Sequence, residues 1–431
     1  MIHPLLVAAT LARNRAWTIA RARPSTLAME YDVLIIGGGL NGPAQALALA
    51  RGGLRCAVID AMPVETRSAD QFDGRSYALS AGTVRMLGRL GAWPADHATP
   101  IRQIKVTDGR AGEGPAPFML HFNAAEGDDG PMGQMIEDRY LRRALLSALA
   151  AQPRIDHIAP AKVIAQAVTT SGARVTLHDG RVLHGKLLIG ADGKSSGTAS
   201  RAGIDRSPRP YGQMAVTCAI AHTLPHHGIA HQFFMPGGPL AILPLPDNRS
   251  SIVWSEDETR ARALMAMDDA GFLAALRPAF GSFLGEITLA TPRSAFPLSL
   301  SLAERFVAPR VALVGDAAHG LHPVAGQGLN AGLRDVAALT DVITAARQRG
   351  EDIGAIDVLA RYQTWRRPEI LALALVTDGT TKLFSNDNSM LRAARDIGLG
   401  AINALPPLRR AMMREAAGIS PSLNGLPTLM G

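Results

Sequence analysis

Apolar positions along this chain fall into three patterns. Residues 33–36, 55–59 and 311–314 are short runs dominated by Val, Ile, Leu and Ala. Such runs read as strands buried inside a sheet. Residues 162–169, 173–177 and 182–189 also read as strands, with Asp179-Gly180 as the hairpin turn between the last two. Helical spacing marks 79–90, 140–150 and 263–276, and the set Leu329, Gly332, Leu333, Val336 and Leu339. From Tyr211 to Trp254 the pattern changes to alternation, predicting strands over 213–220, 231–235, 240–245 and 251–254. A strand over 101–106 precedes two loops rich in Gly, Pro and acid, 109–117 and 123–131. The chain after Ala345 is helical, over 356–370, 371–382 and 390–405, and Pro368 is expected to break or kink the first of these.

Length and composition narrow the class. At 431 residues the chain predicts two or three lobes rather than one simple core. Hydrophobic residues at 47% against 19% charged describe a globular protein. Cys56 and Cys218 are the only cysteines, which excludes a disulfide framework and points to a reducing, cytoplasmic setting. Four of the +7 formal charges are Arg13, Arg15, Arg21 and Arg23, in a tail without acid. The body is therefore only mildly basic and lacks the dense stripe that nucleic acid requires. Residues 1–29 read as a disordered extension, or as sequence upstream of a true start at Met29; a mitochondrial presequence is the weaker alternative. No apolar run reaches the roughly 20 residues of a membrane span. The basic stretch 407–417 reads as a packing helix with a solvated basic face, leaving at most peripheral membrane contact.

Two stretches carry chemistry. In the first, a strand is followed by Gly37, Gly39 and Gly42 in G-x-G-x-x-G spacing, then a helix, a second strand and Asp60. That is a dinucleotide fingerprint: glycines allow close approach to a pyrophosphate, the helix end favours its charge, and the acid takes the ribose hydroxyls. In the second, a strand ends at Gly315-Asp316, followed by His322-Pro323, then Gly326-Gln327-Gly328 and a helix. Asp316 offers only acceptors, which suits a polyol, and a glycine turn feeding a helix N-terminus suits a flat ligand that becomes anionic. One FAD stretched across the domain needs both motifs, whereas NAD needs only the first. A cluster of Cys218, His222, His226, His227 and His231 has no defined common centre, and no metal site is expected from it.

The string G-D-A-A-H-x-x-H-P-x-x-G-Q-G-x-N-x-G-x-x-D, from Gly315 to Asp335, resembles the second FAD-binding motif of the aromatic-ring flavin monooxygenases. Its later part is similar to the ubiquinone-biosynthesis hydroxylases of the UbiH type. Two further segments resemble the same family: D-G-R-S-Y-A-L-S from Asp73, and G-A-D-G from Gly190. The resemblance implies cofactor contacts by Gly37, Gly39, Gly42, Asp60, Arg75, Asp192, Gly315, Asp316, Gly326, Gly328 and Asn330. It implies that His322, Pro323 and Gln327 stand at the reacting end of the flavin. The family often has Arg six residues after Gly193; here that position is Ala199, with Arg201 close by.

The fold so implied is α/β: a Rossmann-type, glutathione-reductase-like FAD-binding domain interrupted by an antiparallel-sheet substrate domain, with a helical C-terminus. The expected boundaries are 30–100, 131–205 and 297–350 for the FAD-binding domain, 101–130 and 206–296 for the substrate domain, and 351–431 for the helical region. The implied activity is hydroxylation of a polyprenylated phenol through a flavin hydroperoxide. Non-covalent FAD, O2 and NAD(P)H or another reductant take part, and a quinone-biosynthesis complex is a candidate setting. Alternatives are a flavin oxygenase on a soluble aromatic, a prenyl-chain reductase, or a flavin-binding accessory subunit without turnover.

Overall fold

The computed structural model describes residues 30–114, 119–126, 130–322, 326–384, 398, 400, 402–418 and 425–431. Its first sheet runs in the order Val307–Ala308, Val311–Leu313, Val182–Gly190, Tyr31–Ile36, Cys56–Ile59, Ile155–Ile158. Strand Val182–Gly190 also pairs with the Ala173–Leu177 and Val163–Val168 hairpin. The central strands pair in parallel, which requires crossovers and covers both faces. This explains why Val33, Leu34, Ile35, Ala57 and Val58 are all buried, without alternation.

Helix Asn41–Arg51 is buried from Gly42 to Ala50, because helix Gln327–Gln348 and helix Asp138–Ala150 also pack on it. The polar Gln45 survives inside by donating to Thr340 Oγ1 at 2.9 Å. A Cβ at Gly42 would meet Gly37 O at 1.8 Å, so only glycine lets this helix lie so close to the strand end.

The second sheet has nine strands, in the order His319–Gly320, Ser294–Ala303, Arg206–His222, Arg249–Asp257, Leu240–Leu245, Ile229–Phe234, Gln103–Asp108, Leu120–Asn123, with Ile287–Leu289 also on Arg206–His222. One face, with Val216, Cys218, Ile220, Ile252 and Trp254, packs on helices Glu258–Ala266 and Asp269–Phe280. A three-stranded sheet, Ser76–Ser80, Gly133–Glu137 and Thr99–Ile101, stands apart from both.

Several expectations are corrected. The single strand over 101–106 is two strands in different sheets, parted at Arg102, whose N–H donates to Gly228 O at 2.8 Å. The strand expected over 213–220 begins at Arg206, and Pro208 and Pro210 lie within it. The helix over 263–276 is two helices, because Asp268 accepts Gly271 N–H at 2.8 Å and starts a new one. Replacing Asp268 with Ala is expected to cost about 1 kcal/mol, read as a lower urea midpoint at unchanged slope.

Pro368 does not break its helix, which runs unbroken from Ile356 to Phe384. Anchors on both sides of the proline hold it: Tyr362 donates to Leu313 O at 2.8 Å, Arg366 pairs with Asp335 at 2.8 Å, and Ile370 and Ala374 are buried. Tertiary packing offsets the lost hydrogen bond. Most of the helix expected over 390–405, together with residues 1–29, lies outside the described residues.

Candidate active site

Parallel register places the motifs side by side. Ile36 pairs with Gly190 and with Ile59, and Gly190 pairs with Leu313. The residues that follow, Gly37, Asp60, Asp192 and Gly315-Asp316, therefore share the C-terminal edge of one sheet, where open α/β sheets bind ligands. The three glycines of the first motif divide the work. Gly37 has φ +114°, and a Cβ there would meet Ala191 O at 2.3 Å, so it makes the turn. Gly42 admits the helix. A Cβ at Gly39 would meet nothing within 4 Å, which leaves its backbone as the open cradle. Both backbone geometry and donor set fit a dinucleotide pyrophosphate.

Asp316 follows Gly315, whose φ of +60° no branched residue holds without strain. Gly315 N–H donates to Asp335 Oδ2 at 3.0 Å, and Asp316 O accepts from Arg206 Nη2 at 2.7 Å. The turn is thus fixed through its backbone. Behind it lies a fully buried ion cluster: His319 Nε2 to Asp335 Oδ2 at 2.5 Å and Arg366 Nε to Asp335 Oδ1 at 2.8 Å. Burial opposes the Asp335 charge most strongly, and the bonds from His319 and Arg366 hold its carboxyl below the usual range.

Other expected site residues are engaged elsewhere. Asp60 is held by Arg67 in a two-pronged ion pair at 2.7 and 3.0 Å, leaving only its remaining lone pairs for a ribose. Asp192 accepts from Thr198 N and Oγ1 at 2.9 Å each and from Ser196 Oγ, so its carboxylate organises its own loop. Asn330 accepts from Ser80 N–H at 2.9 Å and donates to Ala78 O and Gly326 O. It staples strand Ser76–Ser80 to the helix start and has no amide hydrogen left for a ligand. Arg75 precedes a strand rather than a helix, and is a half-exposed ion-pair partner of Asp73 at 2.6 Å. Pro323 lies outside the described residues.

Gly326 has φ +62° and forms the N-cap of helix Gln327–Gln348. Gly328 is already helical, and a Cβ there would meet nothing within 4 Å. Beside this helix start, His322 is fully buried, and its ring meets the edge of Tyr211 at 4.9 Å between centroids. Tyr211 is in the irregular step of strand Arg206–His222 between Pro210 and Met214, which re-aims the side chain. Asp378, on the long helix, acts on both rings. Burial first and then this carboxylate push the Tyr211 hydroxyl up to about 12. Burial lowers His322 to about 4, with Asp378 opposing. Asp378 is itself partly exposed and pairs with the exposed Lys382 at 2.8 Å, so the cluster grades from dry to wet. Sequence reasoning missed Tyr211 and Asp378, which carry no motif and are brought in by tertiary structure.

His322 and His231, both lowered to about 4 by burial, make acid stability testable. Between about 4 and the ordinary 6.5 the unfolded chain binds more protons than the folded one. Their contribution is complete above 6.5 and lost as pH falls toward 4. A urea midpoint that stays constant from pH 7 to 4.5 would contradict this burial.

The histidine cluster is structural. His222 uses its two ring nitrogens on Leu224 O and Ser250 Oγ, and His226 on Leu245 O and Gly228 N. Among the described residues no group of three or more His, Cys, Asp or Glu could hold a metal ion, and no helix is long and apolar enough to cross a membrane.

The family and the relatives it includes give the class as FAD-dependent monooxygenase. Residues 30–374 match the model of the FAD binding domain family, and the chain belongs to that family. Ubiquinone hydroxylase UbiL of Rhodospirillum rubrum is 43% identical over 389 residues, covering 90% of this chain and 89% of its own length. The 3-demethoxyubiquinol 3-hydroxylase of Escherichia coli is 36% identical, covering 90% and 98%. The p-nitrophenol 4-monooxygenase PnpA from Pseudomonas putida superposes with a TM-score of 0.74 at 19% identity, covering 90% and 98%, and shows the shared fold. The family works with O2, a reductant and an aromatic substrate, and FAD is the cofactor.

Proposed function

We propose that this protein hydroxylates the aromatic ring of a polyprenylated phenol on the route to ubiquinone, using NAD(P)H or another reductant. The observation that carries the reading is the cofactor edge built from Gly37, Gly39 and Asp316, with the buried His322 ring set against Tyr211 as the candidate phenol end. The relatives' names narrow the substrate class. FAD supplies the activation of O2 when bound. Gly37, Gly39 and Gly42 would accommodate its pyrophosphate, Asp316 would take its ribityl hydroxyls, and the turn 326–328 would support its ring. His322, neutral at physiological pH, would accept a hydrogen bond from the phenol hydroxyl on a ring nitrogen and orient the ring. Burial at His322 excludes water from the reacting end.

In this reading residues 101–130 and 206–296 form the substrate domain, and residues 30–100, 131–205 and 297–350 hold FAD. Helix Pro406–Ala416 exposes Leu408 and Met412 beside Arg410 and Arg414, a surface suited to peripheral contact with an anionic bilayer that holds the substrate. Lipid extracts of a strain lacking the gene provide the test. The expected result is accumulation of a prenylated phenol one hydroxyl short of the next intermediate. A normal quinone pool would overturn the substrate assignment.

A further inference from the structure

The family pattern places an arginine at position 199, near the G-A-D-G loop, and this chain has Ala199 there, buried with no room for a long side chain. Arg201 does not take its place. Its Nε donates to Gln166 Oε1 at 3.2 Å and its guanidinium lies over Gly197, on the far side of the short helix Gly197–Arg201. Five residues further on, Arg206 opens the long strand that leads into the second sheet. Its Nη2 donates to Asp316 O at 2.7 Å and its Nη1 donates to Lys194 O. One guanidinium therefore holds the carbonyls of both cofactor loops, the one after Val182–Gly190 and the one after Val311–Leu313.

Two features go beyond a clamp. Among the described residues no carboxylate lies within ion-pair distance of Arg206, and its Nε–H is buried with no hydrogen-bond partner. A guanidinium half withdrawn from water and bonded only to neutral carbonyls keeps an uncompensated charge. Burial lowers the Arg206 guanidinium from its ordinary range, and the more distant Asp316 and Asp192 only oppose that shift. Both stand on the cofactor edge, so the cation lies behind the loop that presents Asp316.

We infer that Arg206 supplies the positive charge that Ala199 lacks, holding the two loops at their spacing and favouring the dianionic pyrophosphate of FAD. The inference depends on FAD binding and not on which phenol is hydroxylated. It makes the hinge strand of the second sheet part of the cofactor site.

The test separates clamp from charge. Arg206→Gln keeps length and loses charge; Arg206→Lys keeps charge and loses the span between two carbonyls. FAD is titrated into each apoprotein by quenching of flavin fluorescence, at low and high salt, with far-UV circular dichroism as the fold control. For Arg206→Gln the expected result is a Kd raised roughly tenfold to a hundredfold and a flatter salt dependence. Arg206→Lys should fall between, with the wild-type salt dependence kept. A glutamine variant within twofold of wild type overturns the inference. Equal weakening of both variants with salt dependence unchanged also overturns it, leaving only a structural role. Should the glutamine variant fail to fold, the lysine variant decides: salt dependence kept supports the charge role, and salt dependence lost refutes it. Wild-type protein that binds no FAD would instead refute the family reading.

Discussion

Asp316→Ala is expected to weaken FAD binding about tenfold to a hundredfold, the equivalent of roughly 1.5–3 kcal/mol for a hydrogen bond to a charged group. The structure makes this substitution a clean one. The Asp316 carboxylate takes part in no hydrogen bond or ion pair with the described residues, so its removal costs the protein only its longer-range attraction for Arg206. The turn that presents it is held from behind by the Gly315 N–H to Asp335 bond and by Arg206 on the Asp316 carbonyl, and both survive the change. The thermal midpoint of the apoprotein should stay where it is while the FAD titration shifts. An unchanged FAD affinity would show that Asp316 is not a cofactor ligand. A lowered apoprotein midpoint would show instead that its carboxylate serves the fold.

The cofactor edge was legible in the sequence because its requirements are local. A strand end followed by glycines at fixed spacing dictates its own geometry, and Gly37, Gly39 and Gly42 each meet a distinct constraint. Motif residues also have work inside the protein. Asp192 and Asn330 stand inside family strings, yet their polar atoms are used on Thr198, Ser80 and Ala78. A motif residue can be retained because it shapes the loop that holds the ligand. The Asp60 partner Arg67 lies only seven residues away, but nothing in periodicity says that a loop arginine will fold back onto that acid.

What escaped the sequence came mostly from tertiary context. Tyr211 and Asp378 are separated from His322 by about a hundred and by more than fifty positions, and meet it only because a strand irregularity and a long helix converge. Pro208 and Pro210 disguised the start of strand Arg206–His222, since proline removes ladder donors. That strand persists because Ser294–Ala303 runs beside its first half. Asp268 is different: an acid followed by helical spacing is a start signal, and it was available in the sequence.

Gly328→Val is expected to keep FAD bound while separating NAD(P)H oxidation from hydroxylation. The positive φ of the turn belongs to Gly326, so a valine at Gly328 meets no forbidden backbone angle. A Cβ at this position meets no atom of the described residues outside its own helix within 4 Å, so the apoprotein is expected to fold with little penalty beyond a slightly lower helix propensity. Its two methyl groups would project into the opening at the N-terminus of helix Gln327–Gln348, where the flavin ring is proposed to rest. The helix end favours negative charge there by ~0.3–2 kcal/mol, and displacement of the ring weakens that contribution. Pyrophosphate and ribityl contacts at Gly39 and Asp316 lie along a different part of the edge and remain. A phenol held near His322 would then face the ring in poor alignment, and a misplacement of about 1 Å can cost roughly a hundredfold in rate. NAD(P)H consumption should continue, with hydrogen peroxide appearing in place of hydroxylated phenol. All three are measured in one assay, wild type beside variant. Coupling equal to wild type would rule out this turn as the support for the ring. Loss of bound FAD would place Gly328 among the residues that hold the cofactor rather than those that align it.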